Sequence, residues 1–192
     1  MSINATYYGT INEANDYFGS RLHSSAWTNA VQADQPKALL AATRIIDKLN
    51  YKGHKATVWA VLKTYLADDN FLWGWPFIST DSWPYRPSRA ELEAAELAQP
   101  LQFPRDSDTV VPEAIRQACY EIAYSLLDGR DPELDLEALA INHQAYGNVQ
   151  TTYSRDQVPL EHILNGIPSI VAWRLVRPFL RPTNELKLSR IS

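Results

Sequence analysis

Residues 101–129, LQFPRDSDTVVPEAIRQACYEIAYSLLDG, constrain the fold more tightly than any other stretch. Ile115, Ala118, Cys119, Ile122, Ala123 and Leu126 recur at spacings of three and four, which predicts a helix with one buried face. Pro112 sits where the first helical turn needs no N–H partner, and Gly129 follows the last apolar residue as a C-cap. Such a helix requires others to cover it, and the remainder of the chain is read as what packs on it or extends from it.

The segment before it supplies covering helices. Thr10 and Glu13 have the spacing of a capping box and open a stripe of Ile11, Ala14, Phe18 and Leu22. A short aromatic segment surrounds Trp27. Asp34 as cap and Pro36 in the first turn then start a second helix, with Leu39, Ala42, Ile45, Ile46 and Leu49 as its buried face and Lys52-Gly53 as its stop. From about 54 to 100 the pattern loosens into a loop-rich insertion. It begins with a possible helix from Val58 to Leu66 and continues through NFLWGWPFISTDSWPYRP; Ser88 and Glu91 then form another capping box and open a short helix that stops at Pro100.

Beyond Gly129, RDPELDLEALA is acidic and fits either a short helix or an ordered loop. Gly147-Asn148 between two short runs, with Val149, Thr151 and Tyr153 alternating, predicts a β-hairpin over about 140–154. A helical turn is expected within Pro159 to Asn165. Pro168-Ser169 opens a last helix with Ile170, Trp173, Val176, Phe179 and Leu180 on one face, which Pro178 should kink or end. The expected fold class is mainly α: a small helical bundle with one β-hairpin, a long loop-rich insertion and an extended C-terminal arm. Residues 1–180 form the single domain, and residues 181–192 form an arm that stays disordered until bound.

Composition narrows the function. The 192 residues are 45% hydrophobic with no run approaching a membrane span of roughly 20 apolar residues, and MSINATYYGT lacks the features of a signal peptide. A soluble protein made in the cytoplasm is expected, with no membrane partner. The net charge of −4 is unlike that of a protein built to neutralise phosphates. Its basic end is the exception: between His162 and Ser192, Arg174, Arg177, Arg181, Lys187 and Arg190 face the single acid Glu185.

Signals for catalysis are weak. The histidines at 23, 54, 143 and 162 have no metal-ligand spacing, and no phosphate-cradling or nucleophile-elbow motif occurs, so no metal, cofactor or catalytic residue is assigned. Cys119, on an apolar helix face, reads as a small buried hydrophobe. Carboxylates cluster at Asp68-Asp69, at Asp106 with Asp108, and from Asp128 to Glu137, which keeps a remote glycosidase alternative. Asp106 and Asp108 are better explained by the following helix N-terminus, and the later cluster as a solvated surface. The aromatic group Trp73, Trp75, Phe77, Trp83 and Tyr85 could stack on single-stranded nucleic acid, but its acidic neighbours favour a protein interface.

The order of several segments carries a resemblance. Glu13-Ala14-x-x-Tyr17-Phe18, Lys37-Ala38-Leu39-x-x-Ala42-Thr43-x-x-Ile46-Asp47, Tyr51-x-Gly53, Phe103-Pro104-Arg105 and Val111-Pro112-x-x-Ile115-x-x-Ala118-x-x-Glu121-x-Ala123 together resemble a group of bacteriophage proteins. These proteins are often labelled DnaT-like single-stranded DNA-binding proteins and are similar to head-tail adaptors, also called head completion or connector proteins. The resemblance spans roughly residues 7 to 53 and 101 to 127, with the long stretch between Gly53 and Phe103 departing from it.

The resemblance implies a structural, non-enzymatic virion protein at the head-tail junction. Such a subunit would form a homo-oligomeric ring, typically a 12-mer of about twelve copies, between the portal protein and the tail or next adaptor. It would line the DNA channel and touch packaged dsDNA only transiently and without specificity. Arg174, Arg177, Arg181, Lys187 and Arg190 then mark a portal-docking arm, and Trp73, Trp75, Phe77, Trp83 and Tyr85 a subunit or tail interface. The alternatives are a DnaT-like single-stranded DNA-binding protein and, more remotely, a peptidoglycan-degrading tail accessory protein.

Overall fold

The computed structural model describes residues 7–66, 87–140, 143–146, 149–152 and 161–182. Among these the chain is mainly helical: α1 (Ile11–Gly19), α2 (Ser25–Thr28), α3 (Gln35–Asp47), α4 (Ala56–Leu66), α5 (Arg89–Ala98), α6 (Glu113–Leu127), α7 (Pro132–Ala140), α8 (Glu161–Leu164) and α9 (Ile170–Val176). A 3₁₀ turn, Arg177–Phe179, follows α9. Two strands, β1 (His143–Tyr146) and β2 (Val149–Thr152), pair antiparallel with Tyr146 opposite Val149. The turn Gly147-Asn148 and Tyr153 of the expected hairpin lie outside the described residues, and no larger sheet incorporates this pair among them.

The backbone divides into two compact units, Met1–Tyr51 with Glu113–Ser192, and Lys52–Pro112. The first is built around α6. Ile115, Ala118, Cys119, Ile122 and Ala123 are buried at the expected spacing, and α3 and α9 both pack on this helix. Tyr120, Glu121 and Ser125 are buried as well, so the helix is covered on more than the one face its apolar pattern announces. Its end is a complete Schellman motif: the Arg130 N–H donates to the Ser125 carbonyl at 3.0 Å and the Gly129 N–H to Leu126 at 3.1 Å. Gly129 takes φ +85, a conformation that glycine adopts without the Cβ penalty.

Around α6, α3 buries Ala38, Leu39, Ala42, Thr43 and Ile46. The Cys119 thiol touches the Thr43 hydroxyl at 3.5 Å and the Leu39 carbonyl at 3.6 Å, so the two helices approach closely where their side chains are small. Phe18 stacks on Trp27 with ring centroids 5.1 Å apart, and the Trp27 indole N–H donates to Asn15 at 2.8 Å. Burial of each large apolar side chain contributes roughly 1.5–3 kcal/mol.

Local expectations are corrected at several points. Leu22 lies beyond the end of α1 and is 83% exposed; the helix stops at Gly19, where Ser20 caps it by bonding back to Tyr17 and Phe18. Asp34 stands at the N-cap of α3 without a capping hydrogen bond, its carboxylate bonding the Lys37 ammonium at 2.7 Å instead. That helix ends at Asp47, well before Lys52-Gly53. The acidic segment after Gly129 is a helix, α7, opened by the Asp131 carboxylate accepting the Glu133 N–H at 2.9 Å. In α9 the buried residues are Ala172 and Val176, with Ile170 38% exposed, and the α-helix ends before Pro178.

The second unit holds α4 and α5, which pack on each other, and the loop that follows them. Ser88 and Glu91 form both halves of a capping box at α5. Phe103 is buried, and the Phe103-Pro104-Arg105 strip folds onto the start of this unit: the Arg105 guanidinium donates to the carbonyls of Lys52 at 2.8 Å and Gly53 at 2.7 Å. Gly53 has φ +71, and a Cβ there would collide with the Asp106 carboxylate. That carboxylate accepts the His54 N–H at 2.8 Å, so Asp106 closes a turn and does not serve the N-terminus of α6.

Candidate functional site: polar clasps and open helix faces

Two reciprocal polar clusters join α1 to α6. Glu121 of α6, 2% exposed, accepts the Tyr17 hydroxyl at 2.6 Å and the Arg21 guanidinium at 2.5 Å. In return, Glu13 of α1 accepts Arg116 at 2.6 Å and the Tyr120 hydroxyl at 3.1 Å. Each cluster contains one carboxylate, one tyrosine and one arginine. Burial, reinforced by the Glu121 hydrogen bond and charge, pushes the Tyr17 hydroxyl up to about 12. At Glu13 burial opposes ionisation, yet the hydrogen bonds from Tyr120 and Thr10 and the charge of Arg116 hold the carboxyl below its usual range. A general acid needs the opposite shift, and Glu121 is closed off from solvent, so both clusters act as clasps between helices.

Cys119 follows the same logic. Burial pushes its thiol up to about 12. An ordinary thiol titrates near 8.5, so the thiolate fraction at pH 8 falls by more than about a hundredfold on folding. A colourimetric disulfide reagent at pH 8 is therefore expected to label the native protein far more slowly than the denatured chain; equal rates would contradict a buried, inert cysteine.

The basic end is divided by the structure. Arg174 is exposed and makes no described ion pair, whereas Arg177 lies 3.7 Å from Glu161 with both side chains largely solvated. Arg181 belongs to the body: its N–H donates to the Asn50 carbonyl at 3.0 Å and its Nε to Tyr51 at 2.9 Å, next to the bridge between Tyr51 and Leu180. Arg181, expected as the first residue of the arm, is thus bonded to the body, and residues 183–192 lie outside the described residues. Lys187, Arg190 and the aromatic group Trp73, Trp75, Phe77, Trp83 and Tyr85 lie outside the described residues, as do Asp68 and Asp69.

Other surfaces were not marked by the sequence. No residue of α5 is buried, and among the described side chains of α7, residues 132–137, none is. Leu134 and Leu136 of α7 are 62% and 46% exposed, Leu164 of the adjacent α8 is 67% exposed, and Leu97 of α5 is 82% exposed. A shallow groove runs between α4 and α5, lined by Ala60, Val61, Thr64, Glu91, Ala94 and Ala95. Their signal is a leucine among acids, as in Glu133-Leu134-Asp135-Leu136-Glu137, which reads as solvated surface until the exposure of its leucines is seen.

Among the described residues no cluster of three or more His, Cys, Asp or Glu could hold a metal ion, and no helix is long and apolar enough to cross a membrane. Compared with protein-family models, curated proteins and solved structures, the chain matches none of them.

Proposed function

We propose that the protein is a structural virion subunit: a head-tail adaptor that forms a ring between portal and tail and lines the DNA channel. The observation that carries this reading is the contrast between a body whose buried carboxylate Glu121 is paired within its own chain and helices whose leucines remain exposed. Leu97, Leu134, Leu136 and Leu164 are the side chains an assembly would cover. The acidic balance suits a channel through which DNA slides without being held.

The DnaT-like alternative requires cations free to meet phosphates. Arg21, Arg105, Arg116 and Arg181 are bonded to carboxylates and carbonyls of their own chain, while Arg44, Lys48, Lys63 and Arg174 are exposed but set among a net acidic chain. Titration of labelled single-stranded DNA at low and moderate salt separates the two. The adaptor role predicts no tight, salt-sensitive binding, and finding such binding in a protein that stays monomeric would favour the alternative.

Portal docking is assigned to the arm beyond Pro182. A chain ending at Pro182 retains the Arg181 contacts, so it is expected to keep its thermal stability while losing at least about tenfold in portal affinity, equivalent to 1.4 kcal/mol. Co-purification with portal rings checks this, and undiminished binding would place docking elsewhere.

A further inference from the structure

Helices α3 and α7 carry the same surface pattern with opposite charge. On α3, Lys37, Arg44 and Lys48 recur at spacings of seven and four, so they form one line along the helix, opposite its buried face. All three are exposed, and half-buried Leu40 and Ile45 flank the line on either side. The acids at the two ends of this helix are already engaged: Asp34 pairs with Lys37 at 2.7 Å, and Asp47 accepts the Tyr8 hydroxyl. On α7, Glu133 and Glu137 stand one turn apart with Leu134 and Leu136 on either side of them. Both glutamates are exposed, the leucines are 62% and 46% exposed, and Asp135, on the far side of the helix, is half-buried. Arg44, Lys48, Glu133 and Glu137 make no ion pair among the described residues.

Each face supplies what the other lacks. Arg44 with Lys48 and Glu133 with Glu137 share a four-residue spacing, about 6 Å of helix rise. Rows of residues four apart interdigitate when two helices pack with their axes about 8–10 Å apart. In that register each glutamate meets a cation while Leu134 and Leu136 meet Leu40 and Ile45, so charge and apolar surface are matched together. Within the chain α3 packs on α6 and α7 on α8, so the two outward faces meet only between copies. Two different patches joined in this way make a head-to-tail contact, which generates a ring where its rotation closes.

We propose that the outer face of α3 in one copy docks on the outer face of α7 in the next, with Arg44 and Lys48 set against Glu133 and Glu137. Closure into a ring rests on the adaptor role, whereas the contact between two copies stands independently of it.

The test uses the full chain, a variant with Arg44→Glu and Lys48→Glu, a variant with Glu133→Lys and Glu137→Lys, and a chain carrying all four changes. Every altered position is exposed, and circular dichroism with thermal unfolding verifies each fold. By light scattering over a concentration series the unaltered chain is expected to self-associate, more weakly as salt rises. Each two-residue variant is expected to associate at least about tenfold less tightly, because like charges then face one another. Mixing the two variants, or combining all four changes in one chain, is expected to restore association. An unaltered chain that stays monomeric at every concentration overturns the proposal, as do two-residue variants that associate normally or a four-change chain that fails to recover. If the charge swap restores association but no copy binds portal, the adaptor role fails and the contact remains. If ring formation on portal is indifferent to every variant, the adaptor role remains and the contact fails.

Discussion

Replacing Ile122 with alanine is expected to lower the stability of the protein by about 2–5 kcal/mol, among the largest losses any single substitution in this chain should produce. Ile122 is fully buried on α6, the helix against which both α3 and α9 pack. Removal of its outer carbons forfeits the transfer free energy of the lost groups and leaves a cavity that helices on two sides cannot both collapse into. At roughly 2–4 °C per kcal/mol for a chain of this size, the melting temperature should fall by about 5–15 °C. Leu126, four residues later on the same stripe, is only partly buried, and its alanine variant should lose less than about 1.5 kcal/mol. Thermal or urea unfolding of the two variants checks the ranking; equal losses would mean that α6 is not the centre of the core.

The second large effect is expected at Glu121. Its alanine variant leaves the Tyr17 hydroxyl and the Arg21 guanidinium without their shared acceptor, and breaking a buried charged pair costs about 3–5 kcal/mol when the stranded partner stays buried. Arg21 is 32% exposed and regains water, so a loss of about 2–3 kcal/mol is expected. The sister clasp is more exposed, with Glu13 at 42% and Arg116 at 34%, and Glu13→Ala should cost less than about 1 kcal/mol.

Alkali reports on the Glu121 clasp through Tyr17. Its hydroxyl titrates higher in the folded chain than in the unfolded one, so its contribution is complete below about pH 10 and is lost as the pH rises through about 12. The difference in stability between the native chain and Tyr17→Phe should accordingly shrink across that interval. A difference that grows there would show that the hydroxyl is not held neutral by the clasp.

Elements with a strong local signal were legible in the sequence. The three-and-four spacing from Ile115 to Ala123 located α6, and the Ser88/Glu91 pair located the start of α5, because each pattern is enforced by neighbours within one or two helical turns. Failures arose where small or distant groups decided the outcome. The stripe of α1 was carried to Leu22, although Gly19 and Ser20 end the helix first. In α9 the expected face of Ile170, Trp173 and Val176 is buried at Val176, whereas Ile170 is exposed and Ala172 is the other residue that lies against the body.

The clasps were hidden for a different reason. Glu121 looks like a solvated helix charge until Arg21 and Tyr17, about a hundred positions away, are brought beside it. The exposed leucines of α7 were masked by the acids between them. What marks that surface is the exposure of its leucines, and periodicity within one segment cannot report how the rest of the chain packs.

The central claim is that this body is a unit of a closed assembly on the portal. Its most direct measurement is the mass, by light scattering with negative-stain imaging, of the purified full chain mixed with a bacteriophage portal protein. The adaptor role predicts one discrete particle in which a ring of about twelve copies caps the portal. A chain that remains monomeric beside intact portal rings would contradict it.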